Sequence, residues 1–198
     1  MKAGPPREVR LIGGQWKRSK LPVADSPGLR PTPDRVRETL FNWLGQDLTG
    51  WRCLDPFAGS GALGFEAASR GAAQVQLVER DMALAKTLRA VKDRLGAAAV
   101  QVEHGDGLGA LRRAAGQGLD LVFLDPPYDA GLLDKALAAA AQAVTAGGFV
   151  FAESSSPLRE WPAGLALHRQ GRAGAVHYHL LRRGMPPAAE PPVEEPAP

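Results

Sequence analysis

From residue 51 the chain repeats one unit. A short apolar run is followed by a turn, and then by a helix-length segment with apolar residues at helical spacing. Strands are expected at 51–55, 74–79, 99–103, 119–124 and 148–153, and helices at about 61–70, 81–95, 106–115 and 131–145. Few folds accommodate this alternation. A strand, a crossover helix and a parallel strand wind right-handed, so the expectation is an α/β fold with a doubly wound, mostly parallel sheet. Gly71, Gly96 and Gly116 follow three of the helices, where a left-handed cap is common. Segments 165–170 and 175–183 face each other across residues 171–174 and read as an antiparallel hairpin at one edge, making seven strands.

The first 45 residues have a different pattern. Residues 9–23 alternate loosely around Gly13-Gly14 and read as a β-hairpin. A loop, DSPGLRPTP, leads to Thr32 as expected N-cap and Pro33 in the first helical position. Val36, Leu40, Trp43 and Leu44 then mark an amphipathic helix over 33–45. The chain therefore divides into a hairpin-and-helix extension (1–45), a body (46–185) and a Pro/Glu-rich tail (186–198) too poor in apolar residues to order itself.

Charge follows the same division. Residues 1–37 carry nine Lys or Arg against Glu8, Asp25 and Asp34, a net of +6 in a chain of net +3, so the remainder is −3. A basic end on a mildly acidic body suits an anionic partner, or is simply a solvated surface. One cysteine, Cys53, excludes an internal disulfide framework, and its apolar setting points to a buried, inert thiol. Without an apolar leader or membrane-length run, the chain is expected in the cytoplasm. Trp16 is read as packing the hairpin on the body, and His104 as a loop side chain. His177 and His179 share a strand face without a third ligand nearby, so no metal site is expected and both are read as surface or RNA-side residues.

Two stretches carry chemistry. DPFAGSGALG (55–64) joins the first body strand to its helix, and Gly59, Gly61 and Gly64 satisfy G-x-G-x-x-G. Glycines admit close approach to a ligand, and Glu79 ends the next strand where an acid can hold ribose hydroxyls. A nicotinamide dinucleotide and S-adenosylmethionine both fit this pattern. Asp106, after the third strand, can accept from an adenine amine, cap the following helix, or do both. The second stretch is Asp125-Pro126-Pro127-Tyr128, at the end of the fourth strand. Prolines stop the ladder and fix the backbone. The Pro126 carbonyl and the Asp125 carboxylate become two aimed acceptors beside the Tyr128 ring, a setting for a planar exocyclic amine. Holding both N–H groups orients the nitrogen toward an electrophilic methyl, and a base must leave its helix to enter. Glu153, ending the fifth strand, serves either this pocket or its solvated rim.

DPPY resembles the [DNS]-P-P-[YFW] motif of S-adenosylmethionine-dependent amino-methyltransferases. RLIGGQWK (10–17), LPVADSPGLRPTPDRVRETLFNWL (21–44) and DPFAGSGALG (55–64) together resemble the RsmD family, over roughly residues 8–183. That family methylates N2 of guanine 966 in bacterial 16S rRNA. The resemblance implies a Rossmann-like methyltransferase fold and S-adenosylmethionine as cofactor. Thr32, Asp55, Phe57, Ala58, Gly59, Ser60, Gly61, Glu79 and Asp106 would bind the cofactor. Asp125, Pro126, Pro127 and Tyr128 would hold the guanine, and Lys17, Arg18, Lys20, Arg30, Arg35 and Arg37 would meet RNA. The partner would be 16S rRNA in the assembling or assembled small subunit, met by a monomer with no membrane attachment. Pro33, where relatives often carry Thr, departs from the pattern but suits a first helical turn. The competing readings are a DNA adenine-N6 or cytosine-N4 methyltransferase, which lacks room here for a target-recognition domain, and a non-catalytic RNA-binding protein on the same fold.

Overall fold

The computed structural model describes residues 7–23, 32–127 and 131–184. Two strands, β1 (Arg7–Arg10) and β2 (Lys20–Val23), pair antiparallel and precede helix α1 (Asp34–Leu44). The body follows as β3 (Arg52–Asp55), α2 (Ala62–Ser69), β4 (Gln74–Glu79), α3 (Met82–Leu95), β5 (Val100–His104), α4 (Gly107–Arg113), β6 (Leu119–Leu124), α5 (Leu132–Ala143), β7 (Val144–Ser154), β8 (Leu165–Ala173) and β9 (Val176–Arg183). Seven strands form one sheet in the order β5-β4-β3-β6-β7-β9-β8, parallel from β5 to β7 and antiparallel beyond. The chain order reverses between β3 and β6, which puts a ligand crevice at the carboxyl ends of those two strands. The edge hairpin enters with β9 against β7, and β8 runs to Ala173, so its turn is tighter than the expected 171–174 link.

Side chains alternate across the sheet and build two cores. Cys53, Leu121, Phe123 and Phe151 face one side, packed with Val36, Leu40 and Phe41 of α1, Phe65 of α2 and Leu88 of α3. Leu54, Val122, Leu124 and Ala152 face the other, packed with Leu111 of α4 and Leu137 and Ala140 of α5. All of α2 is buried, because the hairpin and α1 lie over it. Ile12 N–H donates to Glu66 at 2.8 Å, the Ser69 hydroxyl to the Gly13 carbonyl at 2.6 Å, and Gln15 N–H to the Ser69 carbonyl at 2.8 Å. Gly14 takes φ +70°, and a Cβ there would lie 1.8 Å from the Ser69 carbonyl oxygen, so this contact demands glycine.

Trp16 packs on the same core, as the sequence implied. Cys53 is buried, and desolvation with Asp120 and Asp55 nearby pushes its thiol pKa up. No helix among the described residues is long and apolar enough to cross a membrane. Arg30, Tyr128 and the tail from 185 lie outside the described residues.

Candidate active site

Four acids line the carboxyl ends of four adjacent strands. Parallel register pairs Asp55 with Leu77, Phe123 with Phe151, and Leu124 with Ala152. Period-two alternation then places Glu79 (β4), Asp55 (β3), Asp125 (just past β6) and Glu153 (β7) on the same sheet face. That is also the face α1 and α2 cover.

Each acid has distinct surroundings. Glu79 is committed to backbone: its carboxylate accepts Gly59 N–H and Asp81 N–H, both at 2.8 Å. The first bond holds the glycine loop shut, and each oxygen keeps a lone pair for a ligand. Asp55 is buried, and desolvation, then the nearby Asp125 carboxylate, pushes its pKa up to about 7, while Gly64 and Phe57 N–H groups oppose the shift. Asp125 rises to about 6 through burial. Glu153 rises to about 8 through burial and Asp125, opposed by the Thr32 hydroxyl. Burial is the leading cause of all three shifts, and the Asp125 charge adds to it at Asp55 and Glu153.

The loop itself is backbone-built. Ala58 N–H donates to the Val78 carbonyl at 3.0 Å, Gly59 and Gly61 take φ +52° and +76°, and α2 starts at Ala62. Phe57 and Ser60 are half-buried beside it. A Cβ on Gly107 would lie 2.0 Å from the Pro56 carbonyl oxygen, so glycine there lets α4 close against the loop. HGDG gives that position away only as a helix start. Asp106 caps α4 by accepting Gly109 N–H at 2.7 Å and is otherwise exposed toward solvent. His104, also exposed, reaches the Arg80 carbonyl at 3.0 Å.

Several expectations change. Thr32 does not cap α1: the cap position is Pro33, with no side-chain bond, and buried Thr32 faces Glu153 instead. Arg37 does not face RNA. It is fully buried, donating to Glu66 at 3.4 Å, to Asp34 at 2.7 Å and to the Arg10 carbonyl at 2.8 Å. The signal was present, since Arg37, Leu40, Phe41 and Leu44 stand at i, i+3, i+4 and i+7, the spacing of a buried stripe. His179 is not a surface residue either. It is buried, and its Nε2 accepts Leu158 N–H at 3.2 Å.

Lys17, Arg18 and Lys20 are exposed, and Lys20 pairs with Glu8 at 2.7 Å. The turn that carries Lys17 and Arg18 is bonded to Ser69, at the opposite end of α2 from the glycine loop. Arg35 stands at the pocket end, beside the β8–β9 turn, where Arg172 bonds the Gly174 carbonyl at 2.8 Å. Arg172 is a basic residue of this rim that sequence reasoning did not single out.

A glycine loop closed by a strand-end acid, at the switch point of a sheet ending in an antiparallel hairpin, defines an S-adenosylmethionine-dependent methyltransferase. The residues fit the cofactor: the acids give a negative setting for a sulfonium, and the glycine backbone admits close approach. Residues 9–182 match the family described as "Conserved hypothetical protein 95", and the chain belongs to that family. It is 44% identical over 180 residues to ribosomal RNA small subunit methyltransferase D of Escherichia coli K12, covering 89% of this chain and 90% of that one. The solved structure of the putative methyltransferase yhhF from Escherichia coli superposes with a TM-score of 0.80 at 40% identity, covering 90% of this chain and 99% of the other. The Thermus thermophilus 16S rRNA N2 methyltransferase RsmC, solved with AdoMet and guanosine, matches with a TM-score of 0.66 at 25% identity, covering 92% of this chain and 50% of that one.

Proposed function

We propose that the chain methylates the exocyclic N2 of a guanine in 16S rRNA, guanine 966, within the small ribosomal subunit. The observation that carries this reading is the placement of buried Asp125 one strand from Asp55 of the cofactor loop. The names of the relatives support small-subunit rRNA as the substrate.

Thr32, Asp55, Phe57, Ala58, Gly59, Ser60, Gly61, Glu79 and Asp106 are assigned to the cofactor. When bound, S-adenosylmethionine supplies a methyl group on a cationic sulfur. Asp125 and the Pro126 carbonyl accept the two N–H groups of the amine and turn its nitrogen toward the cofactor site. Tyr128 is assigned the face of the base, and Pro127 the stiffness of the turn. Once methylated, the nitrogen must shed one proton. Asp125, mostly ionised at neutral pH with a pKa of about 6, is assigned to take it.

The test uses small subunits from a strain lacking the enzyme. Asp125→Ala should reduce methyl transfer by roughly 10²-fold or more, with cofactor affinity held within about tenfold. Normal turnover in that variant removes the assigned role. Robust incorporation into duplex DNA would favour a DNA amino-methyltransferase, and absence of heat on titrating S-adenosylmethionine a non-catalytic RNA-binding protein.

A further inference from the structure

We propose that Glu153 accepts the ring N1–H of the target base, and that this contact, beside the amine-holding Asp125 and Pro126, selects guanine. The inference rests on the guanine-N2 reading above and concerns how that site tells guanine from other amine-bearing bases.

The geometry comes from the sheet. Leu124 and Ala152 are register partners on parallel β6 and β7, so Asp125 and Glu153 stand side by side one residue further on. Neighbouring strands lie about 4.8 Å apart, close enough for one planar base to touch both carboxyls. Glu153 is only 6% exposed, and its Oε1 has no hydrogen-bond partner among the described residues. A buried carboxyl oxygen left unpaired at a site is a position waiting for a donor. Among the described residues no group bonds that oxygen. Asp125 is an acid, and Tyr178, the register partner of Glu153 on β9, packs against Trp43 of α1 and Phe151. Among the described residues the Thr32 hydroxyl faces the carboxyl from the α1 side, and it favours the charged form. His177 and His179 flank Tyr178 in sequence and therefore point to the other sheet face.

Guanine carries N1–H and N2–H side by side on one edge, both donors. Adenine and cytosine place a ring lone pair next to their amine. Two adjacent acceptors therefore match guanine, and set lone pair against lone pair for the other two. Protonation does not undo this. A protonated Glu153 still keeps its carbonyl oxygen as an acceptor for N1–H. A site built around a particular N–H rejects analogues lacking it far better than one that reads shape alone.

The discriminating probe is 2-aminopurine, which keeps the 2-amine but has a lone pair at N1. RNA fragments carrying guanine or 2-aminopurine at the target position are compared in competition binding and in methyl transfer, with wild type and Glu153→Gln. Wild type should prefer guanine by roughly 10²-fold or more. Glu153→Gln keeps the size of the side chain, and its amide can donate to the N1 lone pair, so the preference should fall to about tenfold or less. An unchanged preference in Glu153→Gln overturns the assignment. If Glu153→Gln does not fold, wild type alone decides through inosine, which keeps N1–H but lacks the amine. Inosine RNA should bind wild type better than 2-aminopurine RNA, and the reverse order removes Glu153 from the pocket. Failure of wild type to methylate guanine sinks the guanine-N2 reading, whereas the binding arms still decide Glu153.

Discussion

Two clusters of buried charge lie on the same face of the sheet, and the chain treats them differently. In the middle of α2, Glu66 is enclosed with Arg37 and Arg70 at 3.4 and 2.9 Å, and it also accepts Ile12 N–H. Opposite charges and a backbone donor satisfy it, leaving Arg37 Nε as the one atom there without a partner among the described residues. At the strand ends, Asp55, Asp125 and Glu153 are enclosed with one another, and no cation among the described residues pairs with them. The first cluster fastens the N-terminal hairpin and α1 to the cofactor helix. The second is left electrostatically incomplete, an arrangement typical of functional sites rather than of structural ion pairs.

Breaking the satisfied cluster should have the largest effect on stability. Glu66→Ala leaves Arg70 without its acid and Arg37 with only the exposed Asp34, and it strands Ile12 N–H. Its unfolding free energy should drop by about 3–5 kcal/mol, read from urea denaturation. Asp125→Asn should leave stability at alkaline pH equal or higher, because it removes one of three repelling acids. If Glu66→Ala costs no more than Asp125→Asn, the contrast between the clusters fails.

The incomplete cluster should announce itself through pH. Unfolded carboxyls titrate near 4, whereas Asp125, Asp55 and Glu153 are raised to about 6, 7 and 8 in the fold. A raised pKa means that the folded state binds protons more tightly than the unfolded one. Its contribution is fully present below about pH 4 and is lost as pH climbs through about 6 to 8. The cofactor-free protein should therefore melt several degrees lower at about pH 8 than at about pH 5, and Asp125→Asn should flatten that slope. Affinity for the cationic cofactor should move the other way, rising over the same window as the acids ionise. A flat melting profile would show that water screens the row of acids.

The contrast also explains what the sequence made legible. Leu119–Leu124 and Gln74–Glu79 are strands in which local pattern and final burial agree, and both were expected to the residue. The glycine loop and the acid at the next strand end were legible as neighbours because their placement depends on spacing along the chain, and Gly59 N–H bonds Glu79. Glu153 stayed open between pocket and rim, because choosing between them needs β7 beside β6, and strand order leaves no mark in periodicity. Arg37 was misread because the N-terminal charge was counted as surface. Burial of Arg37 depends on Glu66, 29 residues away, which itself looks like an exposed acid in an apolar helix. Thr32 was given to capping by a local rule, and a tertiary contact with Glu153 took it instead.

The smallest effects are expected at the exposed basic residues, and there position separates two kinds. Arg35 and Arg172 stand at the pocket end, whereas Lys17 and Arg18 sit on the turn fastened to the far end of α2. Eight helical residues span about 12 Å, so the far turn is a separate contact from the pocket. Replacing Arg35 and Arg172 with Ala should lower both RNA affinity and the maximal transfer rate. The double change Lys17→Ala with Arg18→Gly should lower affinity alone. Glycine is the right replacement at 18, because Arg18 takes φ +72° and alanine would keep that strain. If both side chains meet phosphates, the slope of log affinity against log salt should become shallower by up to about 2, with kcat unchanged. An unaltered slope would mean that the conspicuous positive charge of the N-terminal hairpin meets solvent, and that the RNA-facing charge of this fold is confined to the rim around Arg35 and Arg172.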